Sequence, residues 1–138
     1  IILASLPKNL QLRDPEKKVF RDIGFHIAAL EGDSNRVKVS TSYYRHRWIS
    51  FYANMNVADP PCPEAVEPNF WSERNGDLTT LIPQLINDGF GYFLWEEKSW
   101  PSETIDWSSD VVQRHLQLVG KWYHDDTGNM KLFKIKPY

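Results

Sequence analysis

The fold of this chain is decided by residues 89–97, which read GFGYFLWEE. Four consecutive apolar residues, Tyr92 to Trp95, follow a glycine-closed helical pattern and end at two carboxylates. A strand with one solvated face alternates apolar and polar residues, whereas a continuous apolar run is typical of a strand covered on both faces. We therefore predict a buried central strand at this point of the chain.

Two helical patterns and one strand pattern occupy the N-terminal part of the chain. Asp14 and Pro15 suit the N-cap and the first position of a helix over residues 15–30. A β-branched run predicts a strand over residues 36–42. Apolar residues at offsets of three, four and seven then predict a second helix over residues 43–55.

A proline complicates the third predicted helix, which begins near Asp77. If Asp77 were its cap, Pro83 would remove a hydrogen bond from the helix interior. We therefore expect either a cap at Thr79 or Thr80, which puts Pro83 in the first turn, or a kinked helix.

The C-terminal part predicts a fourth helix and a β-hairpin. Ser108 or Ser109 would cap this helix, whose apolar pattern continues to residue 119 and which Gly120 would close. Residues 125–129, with the sequence DDTGN, are turn formers between two strand patterns. In the second strand, over residues 130–136, we expect Phe133 and Ile135 to face the core and Lys134 and Lys136 to face solvent.

Together these patterns predict one α/β domain over residues 1–138, a small three-layer α/β/α sandwich. We expect a mainly parallel central sheet with the C-terminal antiparallel hairpin at its edge. Residues 1–13 are expected to be a linker from a preceding segment, either the stub of a helix or a first strand. Residues 59–68 carry four prolines and are expected to form a long loop within the same domain.

The composition argues against several classes of function. The 16 basic and 18 acidic residues are interspersed and give a net charge of −2, so no basic patch of a nucleic-acid binder is present in the sequence. The four histidines and Cys62 lack metal-ligand spacing, so we expect neither a metal nor a cofactor. The six Trp, six Tyr and seven Phe residues fill a core first and can also form a stacking surface.

Two polar clusters follow the two predicted parallel strands, and ligands of open α/β sheets bind at the carboxyl ends of such strands. Arg45 and Arg47 follow the first strand at a helix start, where they could hold a phosphate. Glu96 and Trp100 follow the second strand and could hydrogen-bond and stack a sugar. These four residues are our predicted ligand site; the alternative is that the arginines pair with Glu96 or Glu97 as a solvated cluster. No complete catalytic constellation is legible, so we predict no catalytic residue.

The C-terminal half also resembles a known family. The segments that carry the resemblance are GDL (76–78), GFGYFLW (89–95), LVGKW (118–122), DDTG (125–128) and LFKI (132–135). Their order is similar to that in the soluble tail of polytopic glycosyltransferases, the bacterial relatives of protein mannosyltransferases and of the lipid A aminoarabinose transferase. The resemblance implies a lipid-linked sugar donor and a catalytic carboxylate in the membrane part, which no residue of this chain inherits.

This resemblance predicts a non-catalytic accessory domain of a membrane glycosyltransferase, on the extracytoplasmic, periplasmic face of the inner membrane. Its partners would be its own membrane domain and a lipid-linked sugar phosphate, and the isolated domain would be monomeric and inactive. Two alternatives stay open: a free-standing α/β binding or interaction module, and a small hydrolase that uses Glu96 or Glu97. The hydrolase is the least favoured, because neighbouring residues of a strand point to opposite faces.

Overall fold

A computed structural model describes residues 15–32, 36–41, 46–55 and 77–138 of the chain. The helices are α1 (Pro15–Glu31), α2 (His46–Ala53), α3 (Leu78–Asn87) and α4 (Asp110–His115), with a 3-10 turn at Ser102–Thr104. The strands are β1 (Val39–Ser40), β2 (Tyr92–Glu96), β3 (Leu116–His124) and β4 (Gly128–Ile135). The predicted linker (1–13) and proline-rich loop (59–68) lie outside the described residues.

The four strands form one mixed sheet in the order β1-β2-β4-β3. β1 and β2 are parallel, and Val39 pairs with Tyr92. β4 runs antiparallel to both of its neighbours, β2 and β3. The α/β class is therefore confirmed. The mainly parallel sheet is not confirmed, because β4 lies between β2 and β3 and pairs antiparallel with both, so that β1 and β2 form the one parallel pair of the described sheet.

The buried central strand is confirmed. All five residues of β2 are buried, and the strand lies between β1 and β4. Its side chains alternate between two apolar clusters: Tyr92 and Leu94 belong to one, and Phe93 and Trp95 belong to the other. The continuous apolar run is thus explained by a strand that supplies both faces of the sheet.

Helices supply many of the remaining residues of both clusters. α3 and α4 pack Leu81, Leu85 and Val112 against Phe93 and Trp95. On the other face, α1 and α2 pack against Tyr92 and Leu94 through Phe20, Ile23, Ile27 and Ile49. Each such side chain contributes about 1.5–3 kcal/mol when fully buried, so these clusters are the main source of stability.

α1 confirms the predicted first helix, and α2 lies within the predicted second one. The predicted strand over residues 36–42 is shorter than expected. The Asn54 side chain explains this, because it accepts a hydrogen bond from the Val37 backbone N–H at 2.7 Å and donates one to the Val37 carbonyl at 3.0 Å. Val37 is therefore held by a side chain rather than by a strand ladder.

Asp77 caps α3, so the expected cap at Thr79 or Thr80 is wrong. The Asp77 carboxylate accepts hydrogen bonds from the Thr79 backbone N–H at 2.9 Å and from the Thr79 hydroxyl at 2.6 Å. These bonds, the hydroxyl one first, hold the pKa of Asp77 below its usual range. Pro83 lies inside the helix, and four buried residues of α3 offset the hydrogen bond that it removes.

The predicted fourth helix is wrong in its second half. Ser109 caps α4 and accepts a hydrogen bond from the Val112 backbone N–H at 3.4 Å, but the helix ends at His115. Leu116 begins β3, and Gly120 pairs with Leu132 instead of closing a helix. Residues 116–119 would have added about one helical turn, but they pair with β4 instead, with an irregularity in register between Leu118 and Gly120. The strand ladder gives their backbone groups hydrogen-bond partners outside the helix.

The hairpin is confirmed. β3 and β4 are joined through Asp125–Thr127, and Gly128 adopts a positive φ of 70°. The positive φ favours glycine here, and a Cβ atom at Gly128 would also lie 2.7 Å from Glu97 Oε1 and 3.2 Å from Glu97 Cβ, so the Glu97 side chain would have to shift. Along β4 the apolar residues Phe133 and Ile135 are buried and Lys134 is exposed, as the alternation predicts.

Candidate functional site

The predicted ligand site lies where β1 and β2 end. Because these strands are parallel neighbours, the segments that follow them leave the sheet at the same end. Arg45 lies outside the described residues, and Arg47 belongs to α2 with a side chain that is also outside them. The position of either guanidinium group relative to Glu96 therefore stays a prediction.

Glu96 and Trp100 are adjacent through the backbone, since the Trp100 N–H donates to the Glu96 carbonyl at 3.0 Å. Their side chains serve different faces of the sheet. Glu96 is 0% exposed and continues the alternation of Tyr92 and Leu94, whereas Trp100 is 7% exposed and belongs to the cluster of Trp95. The Trp100 carbonyl accepts a hydrogen bond from Trp95 Nε1 at 2.8 Å. Trp100 is thus a core residue that fixes the segment after β2.

Glu97 joins the end of β2 to the hairpin. Its carboxylate accepts hydrogen bonds from Asn129 Nδ2 at 3.3 Å and from the Asn129 backbone N–H at 3.4 Å. The backbone N–H groups of Glu97 and Lys98 donate to the carbonyls of Asn129 and Thr127 at 2.9 and 3.0 Å. Lys98 Nζ also donates to the Asp125 carbonyl. Residues 97–98 and the hairpin turn therefore form one connected surface.

A cavity of about 220 Å³ lies beside this junction. Its lining includes Trp95, Glu97, Ser102, Lys121, Asn129 and Lys131. Lys121 and Lys131 are paired directly across β3 and β4, so both project from the same face of the sheet. Lys131 Nζ lies 5.5 Å from the centre of the Trp95 ring and 5.3 Å from that of Trp107. The cavity is therefore polar and cationic, with an aromatic wall.

Sequence reasoning missed this cavity, although one signal for it was present. A connection through residues 125–127 with Gly128 in the left-handed conformation fixes the register of the two strands. That register pairs Lys121 with Lys131, which are ten residues apart in the sequence. The closeness of residue 102 and of the Trp95 ring depends on tertiary packing and carries no local signal.

The described histidines of the helices have structural contacts. His26 Nε2 lies 2.8 Å from the Val119 carbonyl, and His115 Nδ1 lies 2.7 Å from the Lys136 carbonyl.

Within the described ranges, no group of three or more His, Cys, Asp or Glu residues could hold a metal ion. None of the helices in the described part of the chain has the length and apolar character needed to cross a bilayer.

Comparison with protein-family models, curated proteins and solved structures finds no match to this chain.

Proposed function

We propose that this chain is a non-catalytic accessory domain of a membrane glycosyltransferase that uses a lipid-linked sugar donor. It would act on the periplasmic face of the membrane, beside its own membrane domain. One observation carries the proposal: three segments of the resemblance, 89–95, 125–128 and 132–135, belong to one connected unit, in which β2 pairs with β4 and Glu97 bonds to Asn129. A shared pattern that folds into one unit supports a common domain more strongly than scattered similarities would.

The same proposal takes the domain as a three-layer α/β/α sandwich. This proposal is supported by the division of the core into two clusters, one with α3 and α4 and the other with α1 and α2. Alternate residues of β2 belong to each cluster. Such a domain leaves the carboxyl ends of its parallel strands for contact with a ligand.

The arrangement of the two adjacent carboxylates favours a binding role over hydrolysis. Glu96 is fully buried, while Glu97 is tied to Asn129 of the hairpin. Glycoside hydrolysis uses two carboxyl groups that flank one bond, at a separation of about 5–10 Å across the substrate. Glu96 is the last residue of β2 with a buried side chain, whereas Glu97 follows the strand and is bonded to the hairpin, so this arrangement does not favour a pair that flanks one substrate.

Within this proposal, the ligand end of the sheet holds the phosphate of the lipid-linked sugar. Arg45 and Arg47 would bind the phosphate after β1, and Glu96 would orient the segment after β2. The burial of Trp100 changes its expected part, because a 7% exposed ring positions residues 96–100 rather than stacking on a sugar. The support for this arrangement is the parallel pairing of β1 with β2.

A free-standing interaction module is the second candidate, and an exposed apolar surface on α1 and α2 favours it. Phe25, Trp48, Phe51 and Met55 are each 39–46% exposed. The ring centres of Phe25 and Phe51 both lie 5.1 Å from that of Tyr52, so part of this surface is a connected aromatic group. An accessory domain could use the same surface against its membrane part.

The coding sequence upstream of residue 1 separates these two candidates. An accessory domain requires several apolar segments of about 20 residues before it, each long enough to span a bilayer. A coding sequence without such segments contradicts the proposal and favours the free-standing module.

A further inference from the structure

We propose that the cavity between the hairpin and the end of β2 binds the phosphate group of a small molecule through Lys121 and Lys131. This inference concerns a second place on the molecule and does not depend on the accessory role proposed above. It starts from the pairing of two lysines directly opposite each other on neighbouring strands.

Like charges at directly opposed positions of an antiparallel pair destabilise the sheet. Opposite charges are the stabilising choice there, yet this hairpin carries two cations beside a cavity. An anion between the two ammonium groups would reverse the sign of the interaction. The pairing is therefore unfavourable for stability alone and favourable for an anion site.

The remaining lining groups suit an oxyanion. Ser102 Oγ accepts a hydrogen bond from Trp107 Nε1 at 2.9 Å, which leaves the Ser102 hydroxyl proton to donate. The one carboxylate of the lining, Glu97, accepts hydrogen bonds from Asn129, and the two lysines leave the lining with a net positive charge. The Trp95 and Trp107 rings lie against Lys131 Nζ and limit the positions it can take.

The volume sets the size of the ligand. A cavity of about 220 Å³ is smaller than the roughly 300–1,000 Å³ of sites for drug-sized ligands. It admits a phosphate ion or the phosphate end of a sugar phosphate, but not a whole nucleotide. A phosphate ion and a sugar phosphate would bind through the same phosphate group, and the experiment below distinguishes between them.

The test is a titration of the isotope-labelled chain with inorganic phosphate, glucose 1-phosphate and glucose, followed by amide chemical shifts. Both phosphates should shift the amides of residues 102, 121, 129 and 131, and glucose should not. Equal dissociation constants for the two phosphates would mean that the phosphate alone is recognised. Tighter binding of glucose 1-phosphate would mean that the sugar adds contacts.

Lys121→Gln should raise the dissociation constant for phosphate about five- to thirty-fold. The reason is that the variant loses one positive charge close to a phosphate that carries one to two negative charges, in a site that is open to water. Lys136→Gln is the matched control, because Lys136 is exposed and lies beyond the end of β4, five residues from Lys131. It should change the constant less than twofold. Unchanged circular dichroism and melting temperature would show that both variants are folded.

Four results would overturn the inference. The first three are no shift at the cavity with either phosphate, equal shifts with glucose, and equal weakening by both substitutions. The fourth is a set of shifts confined to residues 43–48 and 96–100, which would leave the proposed function intact. Conversely, binding at the cavity in a chain without upstream membrane segments would retain the inference and reject the accessory role.

Discussion

Replacing Leu94 by alanine tests the claim that β2 is the buried centre of the domain. Leu94 is 0% exposed, pairs with Leu132 of β4, and belongs to the cluster formed with α1 and α2. Shortening a fully buried leucine removes its transfer free energy and leaves a cavity, at a combined cost of about 2–5 kcal/mol. That cost is a large fraction of the roughly 5–15 kcal/mol by which domains are stable.

The assay is equilibrium unfolding in urea, with Leu118→Ala as the matched control. Leu118 lies in the same sheet but is 43% exposed, so the same change of side chain should cost less than about 1 kcal/mol. With a slope of about 2 kcal/mol per molar urea, a loss of about 3 kcal/mol moves the midpoint by about 1.5 M. Midpoints for the two variants that agree within the error of measurement would refute the assignment of β2 as the central strand.

Two further predictions concern the turn and the cap of α3. Gly128→Ala should destabilise the domain by about 1–3 kcal/mol because of its backbone conformation. The loss should exceed that of Gly32→Ala, because a Cβ atom at Gly32 has nothing within 4 Å whereas one at Gly128 contacts Glu97. Equal losses of stability for the two variants in thermal melts would reject this contact. Asp77→Ala should cost about 0.5–2 kcal/mol at neutral pH. Since hydrogen bonds lower the pKa of Asp77 in the folded state, its contribution is present above the unfolded pKa and is lost as the pH falls through the folded value. The difference between wild type and variant should therefore shrink in acid, and a difference that is constant with pH would argue against the cap.

The sequence pattern predicted β2 and the C-terminal hairpin, because residues close together in the sequence determine both elements. The run from Tyr92 to Trp95 could be assigned because four apolar residues between a glycine and two carboxylates suit a strand covered on both faces. The hairpin was also predictable, because the sequence DDTGN supplies a glycine where the chain needs a positive φ.

Tertiary pairing explains the errors. Val112, Leu116 and Val119 have helical spacing, yet Leu116 begins β3 because β4 lies beside it. For the same reason the sequence could not show that β4 inserts beside β2, which makes most of the described sheet antiparallel.

The candidate sites were partly predictable. The sequence placed Glu96 at the end of a strand, and Glu96 is the last residue of β2. Its role toward a ligand stays a prediction. It did not show that Trp100 turns into the core, since an aromatic residue after a strand suits either a stacking surface or a cluster. The pairing of Lys121 with Lys131 depends on strand register, which is set across the hairpin rather than within either strand.

Glycosyl transfer from a lipid-linked sugar, measured on the isolated chain and on the intact protein in membranes, tests the central claim most directly. The accessory role predicts transfer by the intact protein and no turnover by the isolated chain, because neither Glu96 nor Glu97 has the placement of a catalytic pair. Turnover by the pure isolated chain that is abolished by Glu96→Gln would contradict the account.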